Sequence, residues 1–102
     1  MNDEKYIGLD VHQATISVAV MDASGKVVME SILETKATTI LEFFAGLRGT
    51  LSVTFEEGTW SVWLYDLLNP RVDKLVVCRS RDWFSNYQIT NLRNYQMERY
   101  AH

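Results

Sequence analysis

The sequence predicts one mixed α/β domain with the element order β-β-β-α-β-α-β, followed by a tail of different texture. Three observations carry this. A short apolar run ends in an acid at Tyr6-Ile-Gly-Leu-Asp10 and is followed at once by a hairpin pattern. A second alternating run, Leu51-Ser-Val-Thr-Phe55, ends in Glu56 and Glu57. Two stretches of helical period each precede an apolar strand-like run, so the later strands are reached across helices and should be parallel, whereas strands joined by short turns should be antiparallel.

Residues 5–11 read as the first strand. From Thr15 to Met21 the chain alternates, with Ile16, Val18 and Val20 on one side and Thr15, Ser17 and Ala19 on the other. Asp22-Ala-Ser-Gly25 has turn chemistry, with Gly25 able to take positive φ, and Lys26 to Leu33 returns as a third strand. Thr39-Ile-Leu-Glu42 has capping-box spacing and predicts a helix start. Ile40, Leu41, Phe43, Phe44 and Leu47 give that helix one apolar stripe, and Gly46 and Gly49 flank its end. Leu51 to Phe55 is the fourth strand. A second helix is predicted from Trp60 to Leu68, burying Trp60, Trp63, Leu64, Leu67 and Leu68. Asn69-Pro70 should stop it, because a residue before proline is disfavoured in the helical region. Leu75-Val-Val-Cys78 is a short continuous apolar run of the kind that is buried on both faces.

Composition narrows the function classes. A chain of 102 residues accommodates one core, and 47 % hydrophobic residues is too many for a disordered segment. The single cysteine, Cys78, excludes an internal disulfide and a cysteine-based zinc site, and reads as a small buried hydrophobe. No run reaches the roughly 20 apolar residues of a membrane span, and the acidic start Met1-Asn-Asp-Glu lacks a signal-peptide segment, which makes the cytoplasm the expected location. Residues 1–78 hold six Lys/Arg against eleven Asp/Glu, a net of −5, and residues 79–102 hold four Arg against two acids, a net of +2. An acidic body does not suit tight nonspecific phosphate binding, which is driven by Lys and Arg. It suits acids that await divalent cations, or an ordinary solvated surface.

Asp10 is the most informative residue, because aspartate is depleted in strands. Asp10 and Glu56, 46 residues apart, each close an apolar strand, and open α/β sheets place their sites at such strand ends. Their carboxylates are predicted to lie on adjacent parallel strands within roughly 8 Å, given a strand spacing near 4.8 Å. Hard cations prefer oxygen ligands, and close carboxylates repel unless a cation sits between them. His12 is placed to reach the same site or to be a turn residue. Glu57 reads as a spare ligand or as a solvated acid at a helix start. Trp60 and Trp63, at helical spacing, read as core.

The element order, with acids closing strands one and four, is the plan of the ribonuclease H-like nucleotidyl-transfer fold. The wording of Tyr6-Ile-Gly-Leu-Asp10-Val-His12-Gln-Ala-Thr15 through Gly25-Lys26 resembles the opening of the DEDD transposases of insertion sequences, in the family numbered one hundred and ten and its relatives the pilin-gene invertases. Val53-Thr-Phe-Glu56-Glu-Gly-Thr-Trp60, Leu64-Tyr-Asp-Leu-Leu68 and Leu75-Val-Val-Cys78 resemble that family's second acidic block and following strand. The resemblance covers residues 5–79. It implies a RuvC-type domain over residues 1–78 in which Asp10 and Glu56 are the first two catalytic, metal-binding carboxylates of a tetrad holding Mg²⁺ or Mn²⁺. It further implies DNA as substrate, a guide RNA, and a separate domain bearing a nucleophilic serine.

The sequence departs from that family after Cys78. The family continues with Asn-Pro and a Lys-x-Asp-x-x-Asp-Ala segment that supplies the last two acids. Here Arg79-Ser-Arg-Asp82-Trp-Phe-Ser85 follows, without Asp-x-x-Asp downstream. Asp82 stands alone and Glu98 is distant. The expectation is a transposase fragment with a divergent tail over residues 79–102, weak in metal binding and inactive by itself. The tail carries Trp83, Phe84, Tyr87 and Tyr95 with Arg79, Arg81, Arg93 and Arg99. A helix from Asp82 that packs these aromatics on the domain is one expectation, and self-association through an open flank is the other.

Two rivals come from other classes. A non-catalytic or dominant-negative module would bind intact transposase or its nucleic acid. An actin-like or sugar-kinase half-domain would cradle ATP phosphates, but that loop wants glycine where His12 stands.

Overall fold

The computed structural model describes residues 3–78, and the expectations about the tail lie outside the described residues. The described residues form a five-stranded mixed sheet with two α-helices. The strands are β1 (Glu4–Val11), β2 (Thr15–Asp22), β3 (Val27–Glu34), β4 (Thr50–Glu56) and β5 (Lys74–Cys78), and the helices are α1 (Ala37–Ala45) and α2 (Ser61–Leu68). Their order across the sheet is β3-β2-β1-β4-β5. The pairs β1–β2 and β2–β3 are antiparallel, while β1–β4 and β4–β5 are parallel. Short turns thus gave antiparallel neighbours, and helical crossovers gave parallel ones.

Alternation sorts the strands into two faces. Ile7, Leu9, Ile16, Val18, Val20, Leu33, Leu51, Val53, Phe55 and Leu75 share a buried cluster with Ile40 and Phe44 of α1 and Leu64 and Leu68 of α2. Both helices therefore cover the same face. Tyr6, Ala19, Met21, Thr54, Val76 and Cys78 belong to the opposite face and are also buried. Cys78 is a buried thiol beside the Thr54 hydroxyl, which donates to the Val76 carbonyl at 2.9 Å.

The turn between β2 and β3 is built by Asp22. Its Oδ1 accepts from the Ser24 hydroxyl (2.6 Å), the Ser24 amide (2.9 Å) and the Lys26 amide (3.0 Å). Gly25 supplies the left-handed step with φ 94°. These donors, the Ser24 hydroxyl first and the Lys26 amide next, hold the Asp22 carboxyl below the usual aspartate value of 3.8. A lowered folded-state pKa means a contribution that is fully present above the unfolded value and lost as pH falls through the folded one. Asp22→Asn should therefore flatten the acid limb of the stability curve below about pH 4. Urea melts of both proteins from pH 2 to 6 check this, and parallel curves would contradict it.

Three local expectations need correction. Helix α1 starts at Ala37, two residues before Thr39, with Lys36 as its N-cap and no side-chain cap. The start is set from outside the helix: the Thr35 amide donates to the Ala14 carbonyl and its hydroxyl to the His12 carbonyl. Thr39 and Glu42 thus fall within the helix, where a capping box has no frayed end to close. Trp60 precedes α2 instead of opening it and is 36 % exposed. Helix α2 does end at Leu68 as expected, but Asn69 keeps helical angles (φ −53°, ψ −43°), and the chain passes into a 3-10 turn over Asn69–Arg71 with Pro70 near its start. Proline is tolerated there because a first-turn N–H has no partner to lose.

Candidate functional site

The site is a matter of register. In the parallel pair, Tyr6 lies opposite Ser52, Gly8 opposite Thr54 and Leu9 opposite Phe55. Asp10 and Glu56 are the next residue on each strand, one before the end of β1 and at the end of β4. The same row continues outward, since Asp10 pairs with Ser17 of β2 and Glu56 with Cys78 of β5. Alternation puts this row on the sheet face opposite the helices.

Asp10 is only partly exposed, with 23 % of its side chain accessible, and the His12 Nε2 lies 3.3 Å from its Oδ2. The turn Val11–Thr15 produces this approach: the His12 amide donates to the Thr15 carbonyl at 2.9 Å, folding the chain back so that the imidazole returns toward the strand end. Glu56 is half-buried, whereas Glu57 is exposed and its amide donates to the Cys78 carbonyl, tying β4 to β5 just past the acid. Ser61 donates to the Gly58 carbonyl through both amide (3.1 Å) and hydroxyl (2.8 Å), which turns the chain from β4 into α2.

Two depressions open at these strand ends. A narrow one runs past Phe55, Glu56, Glu57 and Thr59. A wider one, about 490 Å³, is walled by Val11, His12, Gln13, Thr59 and Trp60. Val11, Thr59 and Trp60 border both.

As a donor set for a hard cation, Asp10 and Glu56 offer the right oxygen chemistry but few ligands. Among the described residues no group of three or more His, Cys, Asp or Glu side chains is arranged to hold a metal ion. Asp82 and Glu98 lie outside the described residues. Sequence reasoning missed Trp60 as a wall of the site: its spacing to Trp63 fits a helix face, but Gly58-Thr59 before it marks a turn, and that was the available signal.

Neither a protein-family model nor a curated protein matches the chain. Among solved structures, the crystal structure of Pelota from Archaeoglobus fulgidus matches with a TM-score of 0.56 and 11 % identity. The match covers 99 % of this chain and 38 % of Pelota, so the chain spans well under half of that protein's length. At this identity the likeness speaks for a shared α/β fold alone. It carries no reading of transposition, DNA or metal chemistry.

Among the described residues no helix is long and apolar enough to cross a membrane.

Proposed function

We propose that this chain is a ribonuclease H-like, RuvC-type domain of the DEDD transposase kind, a fragment whose full-length relatives cut and join DNA during transposition. The observation that supports this reading is the parallel β1–β4 register, whose last pair, Leu9 and Phe55, directly precedes Asp10 and Glu56 on the two strands. In this reading Asp10 and Glu56 hold a divalent cation, Mg²⁺ or Mn²⁺, and the cation supplies charge neutralisation and activation of water at a phosphodiester. The protein's own part is to fix two carboxylates on strands, with the His12 imidazole against Oδ2 of Asp10. Guide RNA and a serine-bearing domain are requirements of the full-length relatives.

Two carboxylates leave most of a cation's coordination sphere to water, so binding is weak and the chain alone is inactive. Titration with Mn²⁺, followed by the relaxation rate of water protons, should give weak binding that Asp10→Asn and Glu56→Gln each reduce. Plasmid nicking in Mg²⁺ should be no greater than for Asp10→Asn. Cleavage that Asp10→Asn abolishes would refute inactivity. Mn²⁺ binding indifferent to both substitutions would refute the site.

A further inference from the structure

We infer that Trp60 is a stacking platform for an unpaired nucleobase of a DNA strand whose phosphate lies at Asp10 and Glu56. The inference rests on the proposed reading of those two acids and extends it to a residue and a ligand group. Tryptophan normally hides its large apolar surface, yet Trp60 is 36 % exposed and outside the core cluster. The indole borders both the depression that contains Glu56 and the wider one that contains His12, the residue touching Asp10.

The ring is held in place. Its neighbour Trp63, packed against the core, meets it edge to face at 6.0 Å between centroids and 70° between planes. That leaves an aromatic surface beside a depression of about 490 Å³, within the range of small-ligand sites. Gln13, His12 and Thr59 on the same walls supply hydrogen-bonding groups for a base edge. Any base can stack on an indole, so the platform is tolerant of sequence. The acidic body disfavours a bare phosphate, and the contact therefore depends on the divalent cation.

The test uses the 102-residue chain, the single-stranded oligonucleotide dT12, and Ca²⁺ or Mn²⁺ against EDTA. Trp63→Phe with Trp83→Phe leaves Trp60 as the sole tryptophan. Its emission should be quenched by dT12 only with the cation present. Trp60→Ala should weaken binding about tenfold, from the usual worth of one stacked base, while Trp60→Tyr keeps most of it. Thermal melting checks that each variant remains folded. Cation-dependent binding that Asp10→Asn removes, but that neither quenches Trp60 nor responds to Trp60→Ala, overturns the platform and leaves the acid pair standing. Quenching that survives both EDTA and Asp10→Asn overturns the coupling to the acids. No cation-dependent binding by any variant overturns both.

Discussion

Phe55→Ala is expected to remove about 3–5 kcal/mol of stability. Phe55 is 1 % exposed, lies on the interior strand β4, and belongs to the cluster shared by both helices. Truncating a buried phenylalanine costs about 3–5 kcal/mol, from lost transfer free energy and from the cavity left behind. Small domains have about 5–15 kcal/mol in total, and at this size each kcal/mol moves Tm by about 4–8 °C. A fall in Tm of at least about 12 °C follows. Val62→Ala is the matched control, since Val62 is 73 % exposed on α2 and its loss should stay within about 0.5 kcal/mol. Urea unfolding of the two variants measures the difference. A loss below about 1 kcal/mol for Phe55→Ala would mean that β4 is not at the centre of the core.

The same residue explains why the fold was legible in the sequence. Leu51, Val53 and Phe55 alternate with Ser52 and Thr54, and the apolar set lies under the helices. A shift of one residue would turn Phe55 outward, so the pattern fixes the face on its own. Ile16, Val18 and Val20 do the same for β2. Helix boundaries were less legible, because they depend on contacts distant in sequence. Nothing near Thr39 announces that Thr35 will be tied to Ala14 and His12, and that tie decides where α1 begins.

The strand positions of Asp10 and Glu56 were legible for the same reason. Strand-end acids are visible as acids closing apolar runs, and the parallel pairing then follows from the crossover through α1. The exposure of Trp60 was hidden, because helical spacing alone does not distinguish the first residue of a helix from the last residue of the turn before it. His12 was ambiguous until the turn at Val11–Thr15 brought it to 3.3 Å from Asp10.

Gly49→Ala is the second large effect, and it acts through the register on which the site depends. Gly49 has φ 92°, in the left-handed region that costs a side-chain-bearing residue about 1–2 kcal/mol. A Cβ there would also overlap the Asp3 carbonyl oxygen, which accepts from the Thr50 amide at 2.9 Å. Asp3 cannot retreat freely, because its carboxylate pairs with Lys5 at 2.7 Å and Lys5 also donates to the Arg48 carbonyl. Relief therefore requires parting the starts of β1 and β4, where Glu4 faces Thr50. The combined cost should be about 2–4 kcal/mol, in the range of backbone-strain substitutions. Gly46→Ala is the internal control. Gly46 has φ −84° and an added Cβ would meet the Phe43 carbonyl oxygen at an ordinary 3.6 Å, so this change should be neutral or stabilise by up to about 1 kcal/mol. Amide exchange at Lys5 and Thr50 separates strain from simple loss of stability: in Gly49→Ala these two amides should exchange faster relative to those of Val18 and Val20. Uniform acceleration at all four would place the damage in the whole fold and remove the claim that Gly49 sets the start of the β1–β4 pairing.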